Sequence, residues 1–182
     1  HKPHAGWFKL NIDGAFHQNR AEIGGVIRNN AREWIMGFHQ RVQAVNCTHA
    51  EIMALSKGLD FISQHNLWPC EVETDSTQVI DLLREGNTSY DFLLQSSRSL
   101  ISQKNKEVVL RHSFREGNQV AHLLAQEGTK QPRQCGIVCY VVTLTFVESR
   151  MLEDKEGFSS INKLICESSC RKLAKFGNLN AI

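Results

Sequence analysis

Apolar residues recur at every second position through much of the first forty residues and at every third or fourth from Thr48, and the two periods then alternate as far as about residue 128. Period-two runs form half-buried strands and 3.6-period runs form amphipathic helices, so a chain patterned this way builds one α/β unit. Trp7–Asp13 alternates, with Phe8, Leu10 and Ile12 on one face. Glu22–Arg28 and Trp34–Gln40 are two more short apolar runs, separated by the turn-like Asn29, Asn30, Ala31 and Arg32. Together the three predict an antiparallel meander.

From Thr48 the apolar positions Ile52, Leu55, Leu59 and Ile62 predict a helix of about four turns ending near His65 and Asn66. Glu71–Asp75 reads as a strand with an acid at its end, followed by Ser76 as a cap and a short helix through Val79, Ile80, Leu82 and Leu83, stopped by Gly86 and Asn87. Asp91–Gln103 is a further amphipathic helix, Glu107–Phe114 a last strand, and Asn118 can cap a helix running to Gln126. A helix linking consecutive strands requires parallel pairing beside the meander, so the sheet is mixed. Beyond Gly128 the pattern fades: residues 131–182 hold a β-prone run, a polar stretch at Leu152–Ser160 and a weak helix candidate. A misassigned reading frame or retained intron would account for that loss of pattern and predicts disorder there.

With 182 residues, 41% hydrophobic and 22% charged, the chain fits one soluble domain plus a tail and excludes collagen-like, disordered and multi-span membrane classes. The twelve-residue run Gly136–Val147 is shorter than the roughly 18 residues a bilayer span needs. The chain begins HKPHAGWFKL, with neither an initiator methionine nor a signal segment, and so reads as cut from something longer. Six cysteines are too dilute for a disulfide scaffold, which points to a reducing intracellular compartment, nucleus or cytoplasm being left open. Cys135, Cys139, Cys166 and Cys170 form two C-x3-C pairs, for which chance or helical spacing is weighed above zinc. Residues 1–130 carry fourteen Lys and Arg against fourteen Asp and Glu, so nucleic-acid binding by this body has to rest on a local patch and metal ions.

Asp13, Glu51 and Asp75 stand at predicted element ends, where ligands gather in open α/β sheets. Acids brought together from distant positions repel, a cost relieved by a divalent cation with hard oxygen ligands. Each also has a structural explanation. Thr48-His49-Ala50-Glu51 spells a capping box, Asp75 can face a helix dipole, and Asp13 beside Gly14 can form a turn.

In one order the chain holds NIDGAF (Asn11–Phe16), GGVIRN (Gly24–Asn29), HAEIMALSKGL (His49–Leu59), VETDS (Val72–Ser76) and RHSFREGNQVAHLLA (Arg111–Ala125). This set resembles a ribonuclease H domain, and more narrowly the plant reverse-transcriptase-like group found in non-LTR retroelement polyproteins. The resemblance covers about residues 7–129 and leaves 130–182 as a C-terminal tail of unknown structure. It implies a ribonuclease H-like α/β fold, with a five-stranded mixed sheet and flanking helices. It also implies an endonuclease that cuts the RNA strand of RNA–DNA hybrids with two Mg²⁺ ions. By the same resemblance Asp13, Glu51 and Asp75 are metal-binding carboxylates and His112 is the family's mobile histidine, a proton shuttle. The expected partner is an RNA–DNA hybrid, with no membrane, and the chain is expected to be a monomeric domain or a piece of a polyprotein.

The family's fourth carboxylate falls ten residues after His112, where this chain has His122 in VAHLLA. As a substitute ligand an imidazole suits Mn²⁺ better than Mg²⁺. Protonated, it acts as a fixed cation and the domain binds hybrids while scarcely cutting them. A partly exposed helix residue without a ligand role is the third reading. A catalytically inactive nucleic-acid-binding or protein-interaction module derived from a retroelement is therefore the alternative to the enzyme. Substrate contacts are expected from Gly14, Ala15, Asn46 and Thr48 toward minor-groove hydroxyls and from Ser76 and Thr77 toward a phosphate, although Asn46 and Thr48 also suit a loop end and a helix cap. The remaining histidines, His39 and His49 among them, read as surface or cap residues.

Overall fold

The computed structural model describes residues 2–86, 89–104, 106–132 and 136–156. Among these, the elements are β1 (Phe8–His17), β2 (Arg20–Arg28), β3 (Trp34–Val42), α1 (Cys47–Gln64), β4 (Cys70–Thr74), α2 (Thr77–Glu85), α3 (Asp91–Ile101), β5 (Val108–His112), α4 (Gln119–Glu127), β6 (Val138–Tyr140) and α5 (Thr145–Glu156). Short 3₁₀ turns at Arg115–Asn118 and Gly128–Lys130 flank α4. One sheet holds the strands in the order β5-β4-β1-β2-β3-β6. β1 to β3 form the expected antiparallel meander, and β4 and β5 run parallel to β1.

Two features of β1 differ from the sequence expectation. The strand does not stop at Asp13 but continues to His17, because Gln18 and Asn19 both adopt positive φ (49° and 57°) and close a two-residue hairpin to Arg20. Asp13 is thus a mid-strand residue paired with Gly24. Lys9 and Asn11, on the same side of β1, join a buried polar row with β4: the Lys9 amine meets Glu71 at 3.0 Å and Glu73 at 2.6 Å, and Asn11 Nδ2 donates to Glu73 at 3.0 Å.

The helix expected from Thr48 begins at Cys47, with Asn46 as its cap: Asn46 Oδ1 accepts from the His49 amide at 2.8 Å. Thr48 lies inside the first turn, so the Thr48–Glu51 capping box does not form and Glu51 is released toward the sheet. Ser76 caps α2 as expected, its hydroxyl accepting from the Val79 amide. Asn118 occupies the cap position of α4 but turns its side chain into the sheet, where Nδ2 donates to the Ile12 carbonyl at 2.7 Å.

The sheet has six strands among the described residues, one more than expected. β6 comes from the β-prone run after Gly136 and pairs with the outer edge of β3, satisfying backbone groups that an edge strand otherwise leaves open. His39, expected at the surface, is 3% exposed because β6 covers it, and its Nε2 lies 2.8 Å from the Tyr140 hydroxyl. On one face Leu55 and Leu59 of α1 pack over Leu10 and Ile12 of β1 and Val72 of β4. On the other face Val120 and Leu124 of α4 meet Val26 and, from α5, Val147 and Met151.

No helix among the described residues is long and apolar enough to cross a membrane. Cys135, Cys166 and Cys170, and with them the two C-x3-C pairs, lie outside the described residues, as does the polar stretch beyond residue 156. Cys139 is an exposed free thiol.

Candidate active site

The parallel pairing of β1 with β4 sets Asn11 opposite Glu73. Two residues further along each chain, on the same face, come Asp13 and Asp75. Glu51 arrives from α1, which can run close over β1 because residue 14 is glycine. A Cβ there would sit 2.4 Å from the Ala50 carbonyl carbon and the Glu51 amide nitrogen. One oxygen from each of Asp13, Glu51 and Asp75 lies within 4.8 Å of the others, with Asp13 and Glu51 buried and Asp75 half-buried.

Such crowding has an electrostatic consequence. Burial, and after it the charges of Asp13 and Asp75, push the Glu51 carboxyl up to about 9, against hydrogen bonds from the Gly14 amide and Thr74 hydroxyl. Asp75 is raised for the same reasons, burial first and Asp13 second. Glu51 Oε2 is buried without a hydrogen-bond partner. Three hard-oxygen ligands that repel one another, one carrying an orphaned oxygen, fit a divalent cation of the Mg²⁺ type.

His122 reaches this group from α4. Its Nδ1 lies 3.2 Å from Asp13 Oδ2 and its Nε2 lies 3.0 Å from the Gln126 amide nitrogen, so both ring nitrogens are engaged. The hydrogen bond to Asp13 raises its pKa above the usual histidine value, with burial opposing. His122 stands beside the three-carboxylate set and contacts it through Asp13.

The acids open into a cleft of about 400 Å³ whose walls include Gly14, Ala15, Thr48 and Ser76. The Thr48 hydroxyl donates to Gln78 at 2.6 Å, tying the starts of α1 and α2 together. Asn46 is outside the cleft and bonded to the Tyr90 hydroxyl, and Thr77 is exposed at the start of α2. His112 ends β5 opposite Thr74, exposed, with its ring edge-on to Phe114 at 5.5 Å, and is not among the residues lining the cleft. Four cleft residues, Phe16, Cys47, Gln78 and Arg115, escaped the sequence reading. The Cys47 thiol is pushed up, by burial first and then by the charges of Glu51, Asp13 and Asp75. Arg115 places the cleft's cation, opposing the upward shifts of Cys47 and Asp75.

Residues 11–128 match the family model described as reverse transcriptase-like. The chain belongs to that family. A provisionally named ribonuclease H protein of Arabidopsis thaliana is 31% identical to this reverse transcriptase-like chain over 128 residues, 68% of the chain and 20% of the relative, so the chain spans about a fifth of that relative's length. Among solved structures, ribonuclease H1 of Halobacterium salinarum superimposes with a TM-score of 0.60 at 22% identity, covering 67% of this chain and 96% of that one. The N-terminal ribonuclease H domain of a Mycobacterium tuberculosis protein gives 0.60 at 22%, covering 66% and 91%. LC11 ribonuclease H1, solved in complex with an RNA/DNA hybrid, gives 0.58 at 19%, covering 66% and 94%. The reverse transcriptase-like domain therefore has the ribonuclease H-like fold.

Proposed function

We propose that this reverse transcriptase-like domain is a ribonuclease H-type endonuclease that hydrolyses the RNA strand of RNA–DNA hybrids. The observation that carries the proposal is the convergence of Asp13, Glu51 and Asp75 oxygens within 4.8 Å on a ribonuclease H-like sheet. The hybrid bound to LC11 ribonuclease H1 supports the choice of substrate.

Asp13, Glu51 and Asp75 would hold the cations, Mg²⁺ by the hardness of their oxygens, with Mn²⁺ as the more nitrogen-tolerant substitute. Held by these three carboxylates, a pair of divalent ions would supply activation of the attacking water and stabilisation of the departing 3′ oxygen. The chain's own residues do the rest. Gly14 and Ala15 leave room for the sugar edge of the RNA strand, and Thr48 and Ser76 offer hydroxyls along the cleft. Arg115 supplies a guanidinium to a phosphate beside the acids. His122 orients Asp13 from the position where the family carries a fourth carboxylate. His112, with Phe114 beside it, shuttles a proton near the scissile phosphate if the strand passes over the end of β5.

A labelled RNA–DNA hybrid incubated with the protein in Mg²⁺ and then Mn²⁺ tests this reading. Hydrolysis of the RNA strand is expected, reduced to background by Asp13→Asn. Hybrid binding without cleavage in either metal, unrelieved by His122→Asp, replaces the enzyme with the inactive binding module.

A further inference from the structure

Beside the acidic cleft, α4 and α5 wall a second groove of about 400 Å³, and the two share Arg115 and His122 as common boundary residues. On α5, Val147 and Met151 are buried against Val26, Val120 and Leu124. Arg150 falls three residues after Val147 and next to Met151, hence on the stripe of the helix that faces α4. It lines the groove opposite the α4 residues Gln119, Leu123 and Gln126. Its guanidinium bonds Glu153 at 2.8 Å while its side chain remains a third exposed, and Glu116 is the acid among the residues lining the groove.

A polyanionic strand approaching three carboxylates in a body without net charge needs cations placed close by. Two arginines border this groove, and a guanidinium binds a phosphate through two parallel hydrogen bonds. The amides of Gln119 and Gln126 add donors and acceptors suited to a sugar–phosphate chain. We infer that the α4–α5 groove is a nucleic-acid subsite in which Arg150 exchanges Glu153 for a backbone phosphate of the strand that passes from the acidic cleft. The family match ends at residue 128, so α5 supplies this contact from outside the shared domain. The inference rests on the ribonuclease reading above.

Binding of a fluorescent RNA–DNA hybrid, read by anisotropy across a salt series in an Asp13→Asn background that holds the substrate intact, tests it. Arg150→Ala is expected to weaken binding roughly three- to tenfold and to lower the slope of log affinity against log salt by about one. Arg150→Lys should retain most of the slope, and Glu153→Gln, which frees the guanidinium, should tighten binding. The thermal midpoint of each variant, and the charge-conserving lysine, separate loss of contact from loss of fold. If Arg150→Ala binds with the parent's affinity and slope, the groove is not the subsite, while hybrid hydrolysis by the unmodified chain still stands. If the parent neither binds nor cuts the hybrid, the ribonuclease reading fails and the subsite with it.

Discussion

Glu51 bears a large electrostatic cost, imposed by burial first and by the charges of Asp13 and Asp75 after it. Its pKa of about 9 in the fold lies far above its ordinary 4.5. Between those two values the unfolded chain has released the proton and the folded chain has kept it, so in protein stripped of divalent cations stability falls as pH rises from about 4.5 to 9. Glu51→Gln removes that penalty and should stabilise the stripped protein at pH 7 by about 2–3 kcal/mol in urea unfolding, with little effect at pH 4. Added Mg²⁺ should raise the melting temperature of the parent but not of the Gln variant; equal responses would show that Glu51 is no part of a cation site. At His122 the sign also runs toward loss at high pH. Its contact with Asp13 is fully formed below the usual histidine value and weakens as pH rises through the higher value it has in the fold. His122→Asp replaces this imidazole by a carboxylate, and divalent affinity measured by calorimetry should tighten about ten- to a hundredfold. Unchanged affinity would place residue 122 outside the metal's influence. Asp13, Glu51, Asp75 and His122 were legible as candidates through the ordered motifs, although Asp13 stands mid-strand and not at the strand end expected of it. Arg115 and Cys47 were not, since a lone arginine in a 3₁₀ turn and a lone cysteine at the first position of a helix have no pattern until the chain folds.

At the scale of elements, two close approaches fix where the functional side chains can stand. α1 lies over Gly14 and carries Glu51, while α4 lies over Gly24 and carries His122. A Cβ at residue 24 would sit 2.2 Å from the Ala125 nitrogen and 2.6 Å from the Ala121 carbonyl oxygen, both backbone atoms of the helix turn that bears His122. Gly24→Ala must therefore displace α4, at a cost of about 1–3 kcal/mol or more in chemical denaturation. The His122 ring signals, followed by NMR, should lose their coupling to Asp13. A variant of parental stability would mean that α4 has slack at this crossing. The strands and helices up to Gln126 could be read from apolar runs and the turn and cap residues between them, although β2 and β4 are buried on both faces and show no alternation. The helix caps were harder. Thr48 and Asn46 are both good caps two residues apart, and the choice between them was made by tertiary contacts, Thr48 to Gln78 and Asn46 to Tyr90. Asn118 shows the same override, its side chain drawn from its own helix to the Ile12 carbonyl.

For the whole molecule, the decisive question is whether the domain ends where the family match does. Residues 11–128 carry that match, yet β6 and α5 complete both an edge and a face of the structure. Val147 is fully buried and Met151 nearly so, and Tyr140 closes His39, whose Nδ1 already lacks a partner. These segments were illegible in sequence for a physical reason. A three-residue strand is too short to show a period, and α5 presents only a narrow apolar stripe against one helix. Ending the chain at residue 132 would expose the apolar patch of Val26, Val120 and Leu124 and reopen the edge of β3. Burial of one valine and one methionine, less the entropy of ordering α5, puts the expected loss at about 2–4 kcal/mol. The acids are held by β1, α1 and β4, all upstream, so the Mg²⁺-induced rise in melting temperature should survive truncation even as the melting temperature itself drops. A truncated chain as stable as the parent would show that β6 and α5 only rest on the domain. One that loses the Mg²⁺ response as well would show that the covering segments hold the carboxylates in register.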